Sequence, residues 1–341
     1  MDEANYDKVL DEKDSKVKQL YWNIAFGLQD VDGLKPSKYM VQLSNEHIDG
    51  KKTYKEVQEA ITSYYTKNIN NHDDDDEEEA DVVSTAIYEI LSDGAFRFDY
   101  LTYKNYHKRL FKNLNKEKYN PGEFRNYNFT KDEPILNGDT VDYQSYDLIE
   151  ETLKYDFAEE KEIDYFMLNQ VQLIDRIAEF TSRIWQVLPF QEGNTRTTAI
   201  FIQKYLLSMG FKVNNDLFKD NALYFRNALV RANYSNFMLG IDESTKYLEM
   251  FLENLLFNTE HILSNKMLHI LYKESSNKQL DLTEIEKKVI NIIKENQNIT
   301  IEECSIKINK SLRTTKNIFK NLKEKNILKR IGSNKTGYWE V

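Results

Sequence analysis

A short loop at residues 188–198, LPFQEGNTRTT, gathers residue types that suit phosphate chemistry. It precedes a predicted helix, whose first backbone N–H groups lack partners and, with the helix dipole, attract anions. Gly193 lets the backbone approach a phosphate, and the Arg196 guanidinium can donate two hydrogen bonds to its oxygens. Glu192 can hold Mg²⁺ between phosphates, and Asn194 can hydrogen-bond to a phosphate or across the turn. An ordinary helix entry with a Glu–Arg ion pair is the alternative explanation of the same residues.

The composition of the 341-residue chain favours a helical protein of two or three domains. It has only 11 Gly and 4 Pro, and its residues are 30% charged and 40% hydrophobic. The single cysteine, Cys304, excludes an internal disulfide and indicates a reducing compartment. The acidic N-terminus and the lack of a long apolar run predict a cytoplasmic protein without a membrane partner. The net charge of −10 argues against general nucleic-acid binding by the chain as a whole.

Helical periodicity predicts the elements that position the loop. Apolar spacing predicts an amphipathic helix over 163–185, and the nearly all-apolar stretch TAIFIQKYLLSM predicts a helix at the centre of the core. We predict an N-terminal helical domain at 1–68, an acidic linker at 69–82 and a core domain at 83–272. The acidic run NNHDDDDEEEAD is expected to stay solvated. Within the core, residues 122–146 mix β-formers with the hairpin signal Asn137-Gly138.

The C-terminal part of the chain differs from the rest in charge and pattern. After a polar linker at 273–280, residues 281–341 contain three helical patterns with predicted N-caps at Thr283, Thr300 and Ser311. The stretch ILKRIGSNKTGYWEV then predicts two strands around a turn. This order is that of a winged helix-turn-helix domain. Residues 283–341 hold 13 Lys or Arg and 7 Glu, a net charge of +6, which predicts a nucleic-acid partner.

Residues 310–335 are the predicted DNA-contacting part of this domain. Lys and Arg would contact phosphates, whereas Thr and Asn could reach base edges. The candidate residues are Arg313, Thr314, Lys316, Asn317 and Lys320 on the third helix, and Ser333, Asn334 and Lys335 on the wing. We expect Tyr338 and Trp339 to anchor the wing. A protein-interaction module is the alternative use of the same fold.

The loop resembles the signature of the Fic family, His-Pro-Phe-x-(Asp/Glu)-Gly-Asn-Gly-Arg-x-x-Arg. The matching positions are Pro189, Phe190, Glu192, Gly193, Asn194 and Arg196. The stretches YHKRLF at 106–111, PGEFR at 121–125 and YFRNALVRANYSN at 224–236 extend the resemblance to roughly residues 85–262. A subclass with GNTRTTA, often followed by a winged helix, is the most similar. The resemblance implies a mainly α fold, in which a Fic helical core carries a β-hairpin flap and follows antitoxin-like N-terminal helices.

The resemblance also implies an activity and its residues. Fic proteins typically transfer AMP from ATP to a hydroxyl group of a target protein. Glu192 would bind Mg²⁺, the backbone of 193–195, including Thr195, would form the anion hole, and Asn194 and Arg196 would hold phosphates. The flap, at about residues 125–146, would pair with an extended segment of the target by adding a strand. Assembly into a homo-oligomer is a further partner prediction.

Three positions depart from the family pattern. The leading His, which is the general base in the family, is Leu188 here, and loss of a general base costs about 10²- to 10⁴-fold in rate. Thr195 replaces a Gly, as in the named subclass. Ala199 replaces the second Arg, and the inhibitory motif (Ser/Thr)-x-x-x-Glu-(Gly/Asn), whose glutamate pairs with that Arg in the family, has no complete copy in this chain.

No other histidine replaces the missing base in the sequence. None of the five histidines of the chain lies near the loop in sequence. They are His47, His72, His107, His261 and His269. His107 is expected to have a structural role. Leu188 is compatible with a natural pseudoenzyme or with an inactivating substitution.

The sequence therefore predicts a protein adenylyltransferase framework that binds ATP and Mg²⁺, with transfer impaired by Leu188. One alternative is a DNA-binding transcriptional regulator that uses the core as a nucleotide sensor. Another is a phosphotransferase of the related Doc type, which the pair Glu192-Gly193 disfavours.

Overall fold

The computed structural model describes residues 14–67, 75–213, 216–272, 283–324, 328–331 and 338–340. These residues form fifteen α-helices and one two-stranded antiparallel sheet, so the fold is mainly helical as predicted. The chain divides into two compact units, the first unit at Met1–Tyr272 and the second unit at Lys273–Val341. None of the helices in the described ranges is long and apolar enough to cross a membrane.

Twelve α-helices lie in the described part of the first unit. They are α1 (Ser15–Gly27), α2 (Lys38–Ile48), α3 (Tyr54–Lys67), α4 (Asp75–Ser92), α5 (Tyr100–Phe111), α6 (Lys116–Tyr119), α7 (Ile149–Lys161), α8 (Gln170–Gln186), α9 (Asn194–Ser208), α10 (Leu217–Ala232), α11 (Lys246–Phe257) and α12 (Asn265–Leu268). Short 3₁₀ segments at Leu28–Asp32, Pro134–Leu136, Tyr165–Met167 and Phe237–Leu239 connect some of them.

The N-terminal helices share one hydrophobic core with the helices that surround the loop. Helix α1 packs against α4 and α10. The Trp22 ring on α1 stacks on the Tyr88 ring of α4, with their centroids 4.5 Å apart. At Gly27 the α1 backbone lies so close to α10 that an added Cβ would be 2.4 Å from the Lys219 Cα. The segments predicted as an N-terminal domain and a core domain therefore lie within one compact unit.

The prediction that the acidic run stays solvated is wrong for residues 79–81, which are buried, whereas Asp75, Asp76 and Glu77 are exposed. Asp75 begins α4, and four acidic residues occupy its first turn, where the positive end of the helix dipole stabilises negative charge. Glu79 and Asp81 are buried. Asp81 accepts hydrogen bonds from the Ser37 hydroxyl at 2.6 Å and from the Tyr65 hydroxyl at 2.8 Å. The first half of the run, residues 70–74, lies outside the described residues.

Helix α9 occupies the centre of the core, as its apolar sequence predicts. All its residues from Asn194 to Leu206 are buried. The preceding helix α8 begins at Gln170 with a capping box between Asn169 and Gln172, seven residues later than the pattern predicted. The segment Ile163–Asn169 therefore lies outside the helix, and Phe166 is fully exposed.

The predicted β-hairpin flap is wrong as a pair of strands. Residues 121–146 are all described, and no strand is assigned to them. The Asn137-Gly138 turn does form, with both residues at positive φ, after the 3₁₀ segment Pro134–Leu136. Two hydrogen bonds join the two sides of the turn: the Glu133 N–H donates to the Asp139 carbonyl at 3.0 Å, and the Lys131 N–H donates to the Thr140 hydroxyl at 3.1 Å. The Glu133 carboxylate is buried and accepts two hydrogen bonds from Arg226, at 2.7 and 3.0 Å.

The described part of the second unit contains three helices and a small sheet in the predicted order. The helices are α13 (Glu284–Glu295), α14 (Ile301–Lys307) and α15 (Leu312–Glu324), and strands β1 (Lys329–Ile331) and β2 (Tyr338–Glu340) pair antiparallel, with Arg330 opposite Trp339. Thr283 and Thr300 form capping boxes. Trp339 is buried and its indole N–H donates to the Ile299 carbonyl at 3.0 Å. The linker residues 273–280 and the predicted wing residues Ser333, Asn334 and Lys335 lie outside the described residues.

Candidate functional site

The loop that joins α8 to α9 begins at Leu188, which has an unusual backbone conformation. Its φ is 43°, in the left-handed region that branched side chains rarely adopt. The side chain is only 2% exposed and belongs to the hydrophobic core of the first unit. The position predicted for the general base is therefore occupied by a packed aliphatic side chain that cannot accept a proton.

Arg125 holds this conformation from the start of the flap segment. Its backbone N–H donates to the Pro189 carbonyl at 2.9 Å, and its Nε donates to the Leu188 carbonyl at 2.8 Å. Its guanidinium also donates to the carbonyls of Tyr127, Gln144 and Val187. Burial lowers the Arg125 pKa, and the carbonyls satisfy most of its donors. The carbonyls of 187–189 are thus fixed by a neighbouring segment and not by the side chain at 188.

Gly193 marks the sharp turn into α9. Its φ is 73°, and a Cβ at this position would lie 2.2 Å from the Phe111 ring. Both facts require glycine here, since an L-residue would be strained and would overlap the ring. The glycine therefore brings the loop backbone against α5.

The Asn194 side chain closes the loop on itself. Its Oδ1 accepts from the Phe190 N–H at 2.9 Å, and its Nδ2 donates to the Phe190 carbonyl at 2.8 Å. Asn194 therefore hydrogen-bonds across the turn, which is one of the two uses that the sequence suggested for it. Its role in holding phosphates stays a prediction.

The backbone N–H groups at the start of α9 lack acceptors within the described residues. In the described parts of the chain, no hydrogen bond is donated by the N–H groups of residues 193–196. The Thr195 hydroxyl instead accepts from the Trp185 indole N–H at 3.0 Å. Thr197 and Thr198 donate their hydroxyls to the carbonyls of Gly193 and Asn194, both at 2.9 Å, and leave the N–H groups untouched. Backbone N–H groups without acceptors are the groups that an anion hole would use, and the anion hole itself stays a prediction.

Arg196 does not point to open solvent, because it lies in a cage of N-terminal residues. It is 1% exposed, and its Nη2 lies 2.6 Å from Glu79 Oε1 and 3.0 Å from Asp32 Oδ2. Its Nη1 donates to the Gln29 side chain at 3.0 Å, and the guanidinium lies 5.1 Å from the centroid of the Phe111 ring. Burial acts to lower the Arg196 pKa, but the charges of Asp32 and Glu79 outweigh it and raise the pKa. Sequence reasoning assigned Arg196 to phosphates and missed these two carboxylates.

Glu79 is itself held by several donors. It accepts from the Tyr119 hydroxyl, and Lys118 Nζ lies 3.3 Å from its Oε2. Burial acts to raise the Glu79 pKa, but the Arg196 charge and the Tyr119 hydrogen bond outweigh it, so the pKa is lowered. Glu79 is therefore ionised at neutral pH and forms a buried ion pair with Arg196.

His107 contacts the loop in space although it is 81 residues before Leu188 along the chain. Its ring stacks on the Phe190 ring, with centroids 3.8 Å apart. Nδ1 accepts from the Gly122 N–H at 2.9 Å, so Nε2 carries the proton and donates to the Glu192 carbonyl at 3.0 Å. Burial lowers the His107 pKa to about 3, which keeps the ring neutral. The expected structural role fits this geometry, in which His107 joins α5, the turn at Gly122 and the loop.

Glu192 is partly exposed, unlike most of the loop. Within the residues that the structure describes, no group of three His, Cys, Asp or Glu side chains could hold a metal ion. A Mg²⁺ ion at Glu192 would therefore take its other oxygen ligands from phosphates and water, as Mg²⁺ commonly does. The free N–H groups and this carboxylate fit a metal-bound polyphosphate, while Arg196 is engaged elsewhere.

The fold and the loop define a helical protein with a tight turn at the start of a buried helix. Residues 97–206 match the model of the Fic/DOC family, a span that runs from before α5 through the loop and most of α9. This match supports Fic family membership and agrees with the resemblance of the loop. A search of curated proteins found no match.

Proposed function

We propose that the first unit binds ATP with Mg²⁺ through the loop at 192–196 and is a Fic-type adenylyltransferase framework with impaired transfer. The observation that carries the proposal is the set of free N–H groups at residues 193–196, next to the partly exposed carboxylate of Glu192. The family match suggests nucleotide transfer as the class of reaction.

The residues divide into those that would bind and those that shape the loop. The backbone at 193–196 would bind phosphate oxygens, and Glu192 would hold Mg²⁺. His107 and Arg125 hold the loop by hydrogen bonds to its carbonyls from other segments, and Asn194 holds it by a hydrogen bond within the loop. When bound, ATP would supply the α-phosphorus that a target hydroxyl attacks, so that AMP is transferred and pyrophosphate leaves.

Proton transfer is the missing function. Leu188 has no group that can take a proton from a hydroxyl. His107 cannot replace it, because its Nδ1 already accepts a hydrogen bond and its pKa is about 3. Transfer is therefore expected to be slower by about 10²- to 10⁴-fold than with a general base at this position.

Calorimetry with ATP tests the binding proposal. We expect binding that requires Mg²⁺ and that Glu192→Ala weakens, whereas Gln191→Ala, a change of the neighbouring side chain in the loop, leaves it unchanged. A folded protein that does not bind ATP would refute the proposal.

Restoring the base tests the activity. Leu188→His is expected to increase incorporation of label from α-labelled ATP into the protein itself or into a lysate protein. Leu188→Asn is the matched control, because it is polar but cannot act as a base. Equal labelling with both variants would show that residue 188 does not limit transfer.

For the second unit, we propose double-stranded DNA binding through the winged-helix fold. The five candidate residues on α15 are all exposed, and residues 283–341 carry a net charge of +6 from 13 Lys or Arg and 7 Glu. Each neutralised phosphate contributes about 0.9 to the slope of log K against log salt. The pair Lys316→Ala and Lys320→Ala should lower that slope by about 2 for every DNA sequence.

A matched pair on another helix controls for charge. Lys288→Ala with Lys294→Ala removes the same charge from α13 and is expected to change the slope by less. Thr314→Ala should alter preference among DNA sequences instead. If the α13 pair has the larger effect, α15 is not the contact helix.

A further inference from the structure

A small pocket lies where α1, the end of α4 and the C-terminal half of α9 meet. We call it the α4 pocket. Its volume of about 220 Å³ is below the range of about 300–1,000 Å³ typical of sites for drug-sized molecules. Lys204, which lines it, lies about 15 Å along α9 from Asn194 at the start of that helix. The α4 pocket is therefore separate from the loop and has room for one small organic molecule.

Ser92, the last residue of α4, brings an unpaired hydroxyl to the lining of this pocket. It is 1% exposed, and its Oγ has no hydrogen-bond partner in the described parts of the chain. A helical Ser or Thr can donate to the carbonyl four residues before it, as Thr85 does to Asp81 at 2.8 Å on the same helix. Ser92 makes no such bond. Buried hydroxyls are nearly always paired, so this one indicates a polar partner that the chain itself does not supply.

Two further donors line the same pocket. Lys204 is 6% exposed, and its ammonium group donates to the Asp93 carbonyl at the end of α4. The Gly94 N–H donates no hydrogen bond to any residue that the structure describes. The Asp93 carboxylate is already engaged, because its two oxygens accept from the Ala95 N–H at 2.9 Å and from Arg109 at 3.0 Å. The polar end of the α4 pocket is therefore rich in donors.

The charges beside the pocket leave an excess of one positive charge. Arg109 forms ion pairs with Glu89 at 2.9 Å and with Asp93 at 3.0 Å. Lys112 lies 4.0 Å from Glu89. These two carboxylates are thus balanced by two cations before Lys204 is counted. An occupant with a single negative charge matches this excess, whereas a phosphate dianion exceeds it.

We propose that the α4 pocket binds a small organic carboxylate. An ionised carboxylate only accepts hydrogen bonds, so it suits a lining that offers the Ser92 hydroxyl, the Lys204 ammonium and the Gly94 N–H. The other side of the pocket is apolar and is formed by Leu91, Phe96 and Leu207, among others. Apolar walls favour a short hydrocarbon body on the ligand, since its burial removes apolar surface from water.

Calorimetry of the full chain with isovalerate and isovaleramide tests the class of ligand. The two molecules have nearly the same shape, but only isovalerate is charged. We expect isovalerate to bind and isovaleramide to bind about tenfold more weakly or not at all. Inorganic phosphate should not displace isovalerate. No binding of isovalerate, equal binding of both molecules, or displacement by phosphate would each overturn the proposal.

Substitution of Lys204 tests the location of the ligand. Lys204→Met removes the charge but keeps a long side chain, and it should lower the affinity for isovalerate by about tenfold to a hundredfold. Lys161→Met is the matched control, because it removes an exposed lysine from α7 and should leave the affinity unchanged. Equal affinities of these two variants would place the ligand elsewhere and overturn the proposal.

Ser92→Ala gives a second measurement, which a purely structural hydroxyl would not affect in the same way. Without ligand, this variant should melt at or above the wild-type temperature, because it removes an unpaired buried hydroxyl. With isovalerate in excess, its melting temperature should rise less than that of the wild type. Thr85→Val, which removes a paired hydroxyl from α4, should melt lower and keep the full rise. An equal rise for Ser92→Ala and the wild type would contradict the proposal.

Discussion

Replacing Glu79 with glutamine should weaken the first unit and strengthen nucleotide binding. Loss of one partner from a buried ion pair costs about 3–5 kcal/mol when the other charge is left uncompensated. Here Asp32 still lies 3.0 Å from Arg196 and Gln29 still accepts from it. We therefore expect Glu79→Gln to lower the free energy of unfolding by about 1–3 kcal/mol. Glu77→Gln is the matched control, since it removes the same charge from an exposed position of α4 and should change stability by less than about 0.5 kcal/mol.

Urea denaturation followed by tryptophan fluorescence measures the stability difference, and ATP titration measures the second effect. Removing one of two carboxylates beside Arg196 reduces repulsion of phosphates, so ATP affinity should rise by about twofold to fivefold if this charge is partly screened. Equal stability of the two variants would refute the ion-pair reasoning. Weaker ATP binding by Glu79→Gln, with the fold intact, would show that the cage supports the loop and does not compete with phosphate.

Two further substitutions test the loop turn and a buried carboxylate. Gly193→Ala should lower the free energy of unfolding by about 3 kcal/mol, and Gly50→Ala should lower it by about 1 kcal/mol. Both glycines have φ of 73°, but only the Cβ added at residue 193 would overlap the Phe111 ring. Equal losses of stability in urea denaturation would contradict this. Burial raises the pKa of Asp156 to about 6, so the folded protein holds a proton that the unfolded chain releases, and stability falls as pH rises from about 4 to 6. Asp156→Asn should therefore stabilise the protein at pH 8 by about 1–3 kcal/mol and flatten melting temperature against pH, whereas Asp175→Asn, an exposed change on α8, should do neither.

The loop and the helices beside it could be predicted because their signals are local. The Gly193 turn, the start of α9 and the caps at Thr283 and Thr300 follow from residue type and spacing. The helix predicted over 163–185 began too early, because Asn169 caps α8 and leaves Phe166 outside the helix.

The contacts of Arg196 could not be predicted, because Glu79 and Gln29 lie 117 and 167 residues before it along the chain. A run of acidic residues has the composition of a solvated segment, and only a distant buried guanidinium makes Glu79 a core residue. His107 was missed as a neighbour of the loop for the same reason. The predicted strands of the flap are wrong for a different reason, because β-forming residues specify strands only when a partner strand is available. Here the Tyr127 carbonyl accepts from the Arg125 side chain, and the Lys131 N–H donates to the Thr140 hydroxyl.

The cage around Arg196 determines which fragments of this protein can be produced. A recombinant piece limited to the family-matched residues 97–206 would lack Gln29, Asp32 and Glu79. It would expose the face of α9 that these residues cover and leave Arg196 as a cation without its carboxylates. Such a piece should be insoluble or unfolded, whereas a piece that ends near Tyr272 and keeps the N-terminal helices retains the whole network. The family-matched stretch, residues 97–206, is therefore shorter than the stretch that we expect to fold by itself.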